Sequence, residues 1–491
     1  MAITFLQVPV GVKVPGVYTE FDTSKARQGA AIQNRRVLLI GQKLSGGSKA
    51  AGQIDIISSE GQARDFYGKG SMLFHMVKAF IRENGGLNEL KAIALDDDGG
   101  GVKAAGSYEI LTAPSDAGTL SLYIGGRRYR VAVASADTEA DIISNLVTEI
   151  QADEDRHVDA AINGSNADLM DITYRHAGEV GNDIDIRENY NSGEELPAGV
   201  TSTITAMSGG SANPDISSVI TAMGEEQFHD IAMPYSDSSN LGAMETELKD
   251  RWGPIRQNDG QLYFSRKESF AAHSTFLDSR NNEQETTMRI AGPTPQFEWS
   301  ANIAALVAQS AQADPALPFE SLALSQVLAP EKDELLTFGE RDQLLKAGSS
   351  TFTVDGSGNV RLERMRTTRI ENEFSAPDEA LADLNPKLTL GYLRFDFNAN
   401  WRTKFARFKL AKDGTRFGPG QRIITPKIGR AEAIARFRLW EELGLVEGVD
   451  QFKRDLIVEI DSQDVNRLNL LLPPDLINQL RVTGVQIGFL L

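Results

Sequence analysis

Short apolar runs alternate with helix-period segments along this chain, and the alternation is broken once; no other feature constrains the fold as strongly. Val37-Leu38-Leu39-Ile40-Gly41 carries no polar face and reads as a buried strand. Ser71 is placed to cap a helix whose apolar face is Leu73, Met76, Val77, Phe80 and Ile81. Lys91-Ala92-Ile93-Ala94-Leu95 follows as a second buried strand. The pattern resumes after residue 205 with strands around His229–Met233, Gln261–Ser265 and Thr287–Ile290, and with helices at Ser239–Trp252, Glu268–Leu277 and Phe297–Val307. An α/β core interrupted by one insertion explains this order better than a row of separate domains.

The interruption, residues 104–205, reads as a β-rich α+β domain. Leu120, Leu122 and Ile124 face Tyr129, Val131 and Val133 across a turn at Gly125-Gly126, and Ile142, Ile143, Leu146, Val147 and Ile150 mark one face of a helix. Asp183 and Asp185 alternate with Ile184 and Ile186 as a strand with one wet face. A C-terminal α+β domain carries an amphipathic helix over 430–443, with Ile434, Phe437, Trp440 and Leu443 as its apolar face. Both ends read as extended strand arms. Val8, Val10, Val12 and Val14 recur at every second position, as do Val485, Ile487, Phe489 and Leu491. Pro9 and Pro15 restrict the first arm to an edge. The divisions expected are an arm over 1–22, core over 23–103 and 206–374, the insertion over 104–205, a C-terminal domain over 375–480 and an arm over 481–491.

Composition excludes several classes. The 491 residues include no cysteine, which removes disulfide frameworks, thiolate metal sites and a cysteine nucleophile. No secretory signal is expected from MAITFLQVPVGV, and no run approaches the roughly 18–20 apolar residues that span a bilayer. The net charge of −18 is unevenly spread: residues 151–250 sum to −16, residues 401–440 to +9. Opposite patches on one chain point to different partners for different faces. Trp401, Phe405, Phe408 and Phe417 among the basic residues suit single-stranded nucleic acid, but the overall charge would repel phosphate.

No catalytic constellation emerges. The five histidines, His75, His157, His176, His229 and His273, show no metal-ligand spacing, and His75 reads as a structural residue of its helix. His229 with Asp230 and Asp237 lacks an accompanying nucleophile. Gly68-Lys69-Gly70-Ser71 is out of register for a phosphate loop, and Gly99-Gly100-Gly101 reads as a linker at a domain junction. No catalytic residue, cofactor site or metal site is therefore expected, and no enzyme activity.

Four separated stretches carry a family resemblance. They are VPGVYTEFDTSKA with RRVLLIGQ (14–42), HAGEVGNDIDIRENY through TITAMSGG (176–210), ERDQLLKAGSSTFTVDGSGNVRLER (340–364), and FKLAKDGTRFGPGQRIITPKIGRAEAIARF through LLPPDLINQLRVTGVQI (408–487). Together they resemble the phage Mu-like contractile tail sheath proteins. The resemblance implies a structural subunit of a virion tail, assembled in the host cytoplasm as stacked hexameric rings around a tail tube. The stack would contract to drive the tube through the host envelope, with no cofactor. Its implied partners are further copies of itself, the tube protein, and baseplate and tail terminator proteins, without direct nucleic-acid contact or membrane insertion. It also implies that the two arms add strands to neighbouring subunits. The basic C-terminal domain becomes the candidate tube-facing part, with Lys409, Arg416, Arg430, Arg436 and Arg438 as candidate contacts. The alternatives are another virion assembly protein, such as tube or capsid, and an α/β enzyme with an inserted lid.

Overall fold

The structure, a computed structural model, describes residues 33–490. The arm positions Val8, Val10, Val12 and Val14, and Leu491, lie outside the described residues. The described chain forms two compact units, residues 33–392 with 476–490, and Leu393–Asp475.

The larger unit opens with β1 (Arg36–Gln42), β2 (Ile54–Ile57), α1 (Glu60–Tyr67), α2 (Met72–Asn84) and β3 (Glu89–Leu95). A second module follows: β4 (Lys103–Thr112), β5 (Gly118–Ile124), β6 (Arg127–Val133), α3 (Glu139–Ala152), β7 (Val158–Ile162), β8 (Leu169–Ala177), β9 (Ile186–Glu188) and β10 (Thr201–Ser208). The chain then returns through α4 (Ser217–Met223), β11 (Asp230–Ala232), α5 (Ser238–Trp252), β12 (Gln261–Lys267), α6 (Phe270–Leu277), β13 (Glu285–Ile290) and α7 (Gln296–Ala313).

The first and last groups share one six-stranded sheet in the order β13-β12-β11-β1-β3-β2, parallel except for β2 at the edge. Val37, Leu38, Leu39 and Ile40 are fully buried, as a parallel strand covered on both faces requires. Ser71 caps α2, its hydroxyl accepting from the Phe74 N–H at 3.1 Å, and Gly85 ends the helix at φ 62°. The helix α7 packs against α2 and is buried nearly all round, through Phe297, Trp299, Ile303 and a set of alanines. Such a helix belongs to the interior rather than the surface.

The second module pairs a four-stranded antiparallel sheet, β10-β4-β8-β7, with a three-stranded one, β6-β5-β9. In α3, a capping box between Thr138 and Asp141 fixes the start, and Ile142, Ile143, Leu146, Val147 and Ile150 are all buried. The β5–β6 hairpin turns on Gly125 and Gly126 at φ 56° and 76°, the left-handed pair that a two-residue hairpin of matching twist demands. A Cβ on Gly125 would lie 2.8 Å from His157 Cδ2. Gly125→Ala therefore combines backbone strain with a clash and should cost about 2 kcal/mol. A fall in the thermal midpoint checks it; an unchanged midpoint would contradict this account of the turn.

Beyond α7 come α8 (Phe338–Lys346) and an antiparallel hairpin of β14 (Thr351–Val354) and β15 (Val360–Arg364). The turn is held by the Asp355 carboxylate, which accepts from the Asn359 side-chain amide, from the Asn359 backbone N–H, from Arg361 and from the Ser357 backbone N–H. These bonds hold its pKa well below the usual carboxylate range. The helix α9 (Leu384–Phe405) begins in the larger unit and ends in the smaller, which continues with α10 (Pro426–Glu442) and α11 (Val449–Asp455). In the smaller unit Phe437 stacks on Phe452 at 4.1 Å, and Phe397, Trp401 and Trp440 form a second aromatic group.

Two expectations change here. Asp183 and Asp185 do not lie on a strand: Asp183 ends a 3-10 turn, Glu179–Asp183, and β9 starts at Ile186. The Asp185 carboxylate is tied to Arg187 and Lys267, and this local pairing overrides the apparent alternation. The buried face of α10 is Ala433, Arg436, Phe437 and Trp440, with Leu443 45% exposed, so an arginine occupies an interior position.

Candidate functional site

Each polar group singled out in the sequence has a structural task. The His229 Nδ1 accepts from the Arg36 N–H at 3.0 Å, and burial holds the ring's pKa well below its usual value. Asp230 is fully buried in an ion pair with Arg35 and also accepts from the Tyr263 hydroxyl at 3.0 Å. Asp237 caps α5. Lys69, in the glycine-flanked stretch, pairs with Glu154 at 2.7 Å, and the Gly101 N–H closes a turn onto the Asp98 carbonyl.

The candidate tube contacts separate into two groups. Lys409, Arg416 and Arg438 are exposed. Arg430 is half-buried and donates to the carbonyls of Lys453 and Leu456, tying α10 to the end of α11. Arg436 is 6% exposed and paired with the fully buried Asp396, which also accepts from Trp440 Nε1 at 2.6 Å. In this conformation Arg430 and Arg436 are therefore internal braces, not free cations, which corrects their reading as outward contacts. The exposed positive charge lies instead on the segment between α9 and α10, where Arg407, Lys409, Lys412, Arg416 and Arg422 are all exposed, and continues to the exposed Lys427 in the first turn of α10. Asp413, its one acidic residue, spends a carboxylate oxygen on the Lys427 N–H at 3.0 Å. Lys409 and Arg416 were among the candidates read from the sequence; Arg407, Lys412, Arg422 and Lys427 were not, although this local imbalance made them legible.

The acidic block is partly internal. Glu154 and Asp155 pair with Arg64, Asp185 with Arg187 and Lys267, Glu226 with Lys91, and Asp230 with Arg35. The excess of negative charge at the surface is correspondingly smaller than the sequence sum.

Among the described residues, the terminal segment from Arg481 makes no strand pairing. Val482, Val485, Ile487, Phe489 and Leu490 are 76% exposed or more, while Arg481 anchors the start of the segment by pairing with Asp383. Each such apolar side chain forgoes about 1.5–3 kcal/mol of burial. A contiguous group of this kind marks an interaction surface. No helix among the described residues is long and apolar enough to cross a membrane. The fold also brings together His75, His157 and Glu298, which sequence spacing had kept apart.

The described residues combine a mixed α/β core with an exposed, apolar C-terminal segment of strand-like pattern. Two family models match the chain, "Phage tail sheath protein central domain" over residues 209–368 and "Phage tail sheath C-terminal domain" over 376–489. The chain is 39% identical to the Mu-like prophage FluMu tail sheath protein of Haemophilus influenzae (strain ATCC 51907 / DSM 11121 / KW20 / Rd), over the full length of both. Its fold is similar to the crystal structure of a sheath tail protein from Desulfitobacterium hafniense, with TM-score 0.50 and 14% identity over 94% of this chain and 97% of that one. A weaker likeness, TM-score 0.45 at 11% identity over 98% and 99% of the two chains, links it to the helical sheath of the anti-feeding prophage in its contracted state. The chain belongs to the phage tail sheath family, and its function is that of a structural subunit of a contractile tail sheath.

Proposed function

We propose that this chain polymerises as stacked hexameric rings around a tail tube in a metastable extended state, and that contraction releases free energy as the rigid cores form new side-to-side contacts. The observation that carries this reading is the terminal segment, whose exposed alternation of Val485, Ile487 and Phe489 suits addition to a neighbour's sheet edge. Main-chain hydrogen bonds would supply affinity, and alternate side chains would set register. Such a head-to-tail contact is heterologous and generates rings or open helices rather than closed dimers. The N-terminal positions Val8, Val10, Val12 and Val14 would act in the same way on another neighbour. The work of contraction then needs no nucleotide or cofactor. The baseplate would trigger it and the terminator would cap the stack, all within a virion tail assembled in the host cytoplasm.

The tube-facing surface in this reading is the basic segment between α9 and α10, with Arg438 beside it in sequence on α10. Lys409, Lys412 and Arg416 are exposed on it and pair with no carboxylate among the described residues, so their charge is available to an acidic tube. Reversing these three to glutamate should weaken co-sedimentation with purified tail tubes by roughly tenfold or more while the thermal midpoint of the free chain stays unchanged. Raising salt should weaken the wild-type association in the same direction. Undiminished tube binding by the triple variant would remove this segment from the interface.

A further inference from the structure

We propose that His75, His157 and Glu298 form a binding site for a first-row divalent cation, Zn2+ being the best fit, that staples the inserted module to the core. The His75 side chain comes from α2, Glu298 from the first turn of α7, and His157 from the residue before β7. One nitrogen of each ring and one carboxylate oxygen all lie within 4.8 Å of one another. Glu298 Oε1 is 3.5 Å from His157 Nε2 and 3.9 Å from His75 Nδ1, and the two rings face each other at 4.0 Å between centroids. Ligand atoms on a tetrahedral zinc ion sit about 3.3 Å apart, so small side-chain rotations would close the set.

A second observation points the same way. The His75 ring is 98% buried and meets the backbone of Asp155, yet its Nε2 makes no hydrogen bond, which leaves one ring nitrogen for a ligand. The other three histidines are all engaged: His176 with the Met72 N–H and Asp97, His229 with the Arg36 N–H, His273 with Glu268 and Ser349. Two neutral imidazoles and one carboxylate with no other ligand in reach favour a borderline ion such as Zn2+ over Mg2+ or Ca2+, which need more oxygen donors. The nearby cations do not occupy the carboxylate. Arg82 is bound to Glu60 at 2.7 Å and Arg127 to Asp153 at 2.5 Å, while Lys78 acts on Glu298 through its field. Glu298 keeps 19% of its side chain exposed, which gives an ion a way in.

The ion would join the helix pair α2–α7 to the second module at a point where β7 begins. A rigid subunit that must transmit force between those parts gains from such a cross-link, although the site stands independently of the assembly reading.

The test uses the full chain without an affinity tag, stripped of metal with a chelator and titrated with Zn2+, Co2+ and Mg2+. Expected are one Zn2+ bound per chain, a raised thermal midpoint with Zn2+ and none with Mg2+, and a visible Co2+ spectrum of tetrahedral type. Loss of an outer partner alone typically costs about 10–100-fold in metal affinity. Glu298→Gln, which keeps the side-chain shape, should therefore weaken Zn2+ binding by roughly 100-fold or more with its metal-free midpoint retained. Zinc X-ray absorption on the wild-type chain needs no variant and should report two imidazole nitrogens. Oxygen-only coordination, or equal Zn2+ binding by wild type and Glu298→Gln, would overturn the proposal.

Discussion

Replacing Ile487 and Phe489 together by aspartate is expected to abolish polymerisation of the chain without changing its own stability. In the free subunit these side chains are 84% and 80% exposed, so their replacement removes no internal packing, and substitutions at such sites usually stay within about 0.5 kcal/mol. Inserted into a neighbour's sheet, the same positions would bury unpaired carboxylates, at a cost of several kcal/mol for each. Every subunit carries the change, so every junction suffers it. Register gives a sharper version. Successive residues of a strand point to opposite faces, so Gln486→Asp should be tolerated far better than Ile487→Asp. Sedimentation velocity reads both outcomes. Polymer retained by the double aspartate variant, or equal effects at 486 and 487, would count against strand addition by this segment.

The second large effect belongs to Asp396. Its carboxylate is fully buried, takes the guanidinium of Arg436 and accepts from Trp440 Nε1. Asp396→Ala leaves that guanidinium buried without a partner, and losses of about 3–5 kcal/mol follow from breaking such pairs. The thermal transition of the unit Leu393–Asp475 should fall sharply or vanish. Replacing both partners by apolar residues of similar size, Asp396→Leu with Arg436→Met, should restore most of it, because no charge is then stranded. A surface role for Arg436 predicts the reverse: Asp396→Ala would leave stability intact and Arg436→Met would act on assembly alone. Differential scanning calorimetry separates the two.

Where local sequence determines local structure, reading and fold coincide. The apolar runs around Leu38 and Ile93 became paired neighbours in one sheet, since a strand with no polar face has only the interior to occupy. Gly125-Gly126 marked its hairpin because few other residue pairs accept that backbone. Ser71 and the buried face of α3 were legible for the same kind of reason. Two of the failures involve partners distant in the chain. Arg436 read as a flanking cation because nothing near it announces Asp396, which arrives from α9. His75 and His157 have no sequence spacing in common; tertiary folding alone stacks their rings. Among the exposed cations between α9 and α10, Lys409 and Arg416 were read from the sequence, whereas Arg407, Lys412 and Arg422 were passed over for a neighbouring helix, although the excess over Asp413 was visible in the sequence.

The proposed sheath assembles around a tube through its terminal strand. Electron microscopy of the purified full chain mixed with purified tail tube tests it most directly. Cylinders of regular striation enclosing the tube are expected, lost when residues 481–491 are removed. Bare tubes beside uniform small particles of the full chain would contradict it.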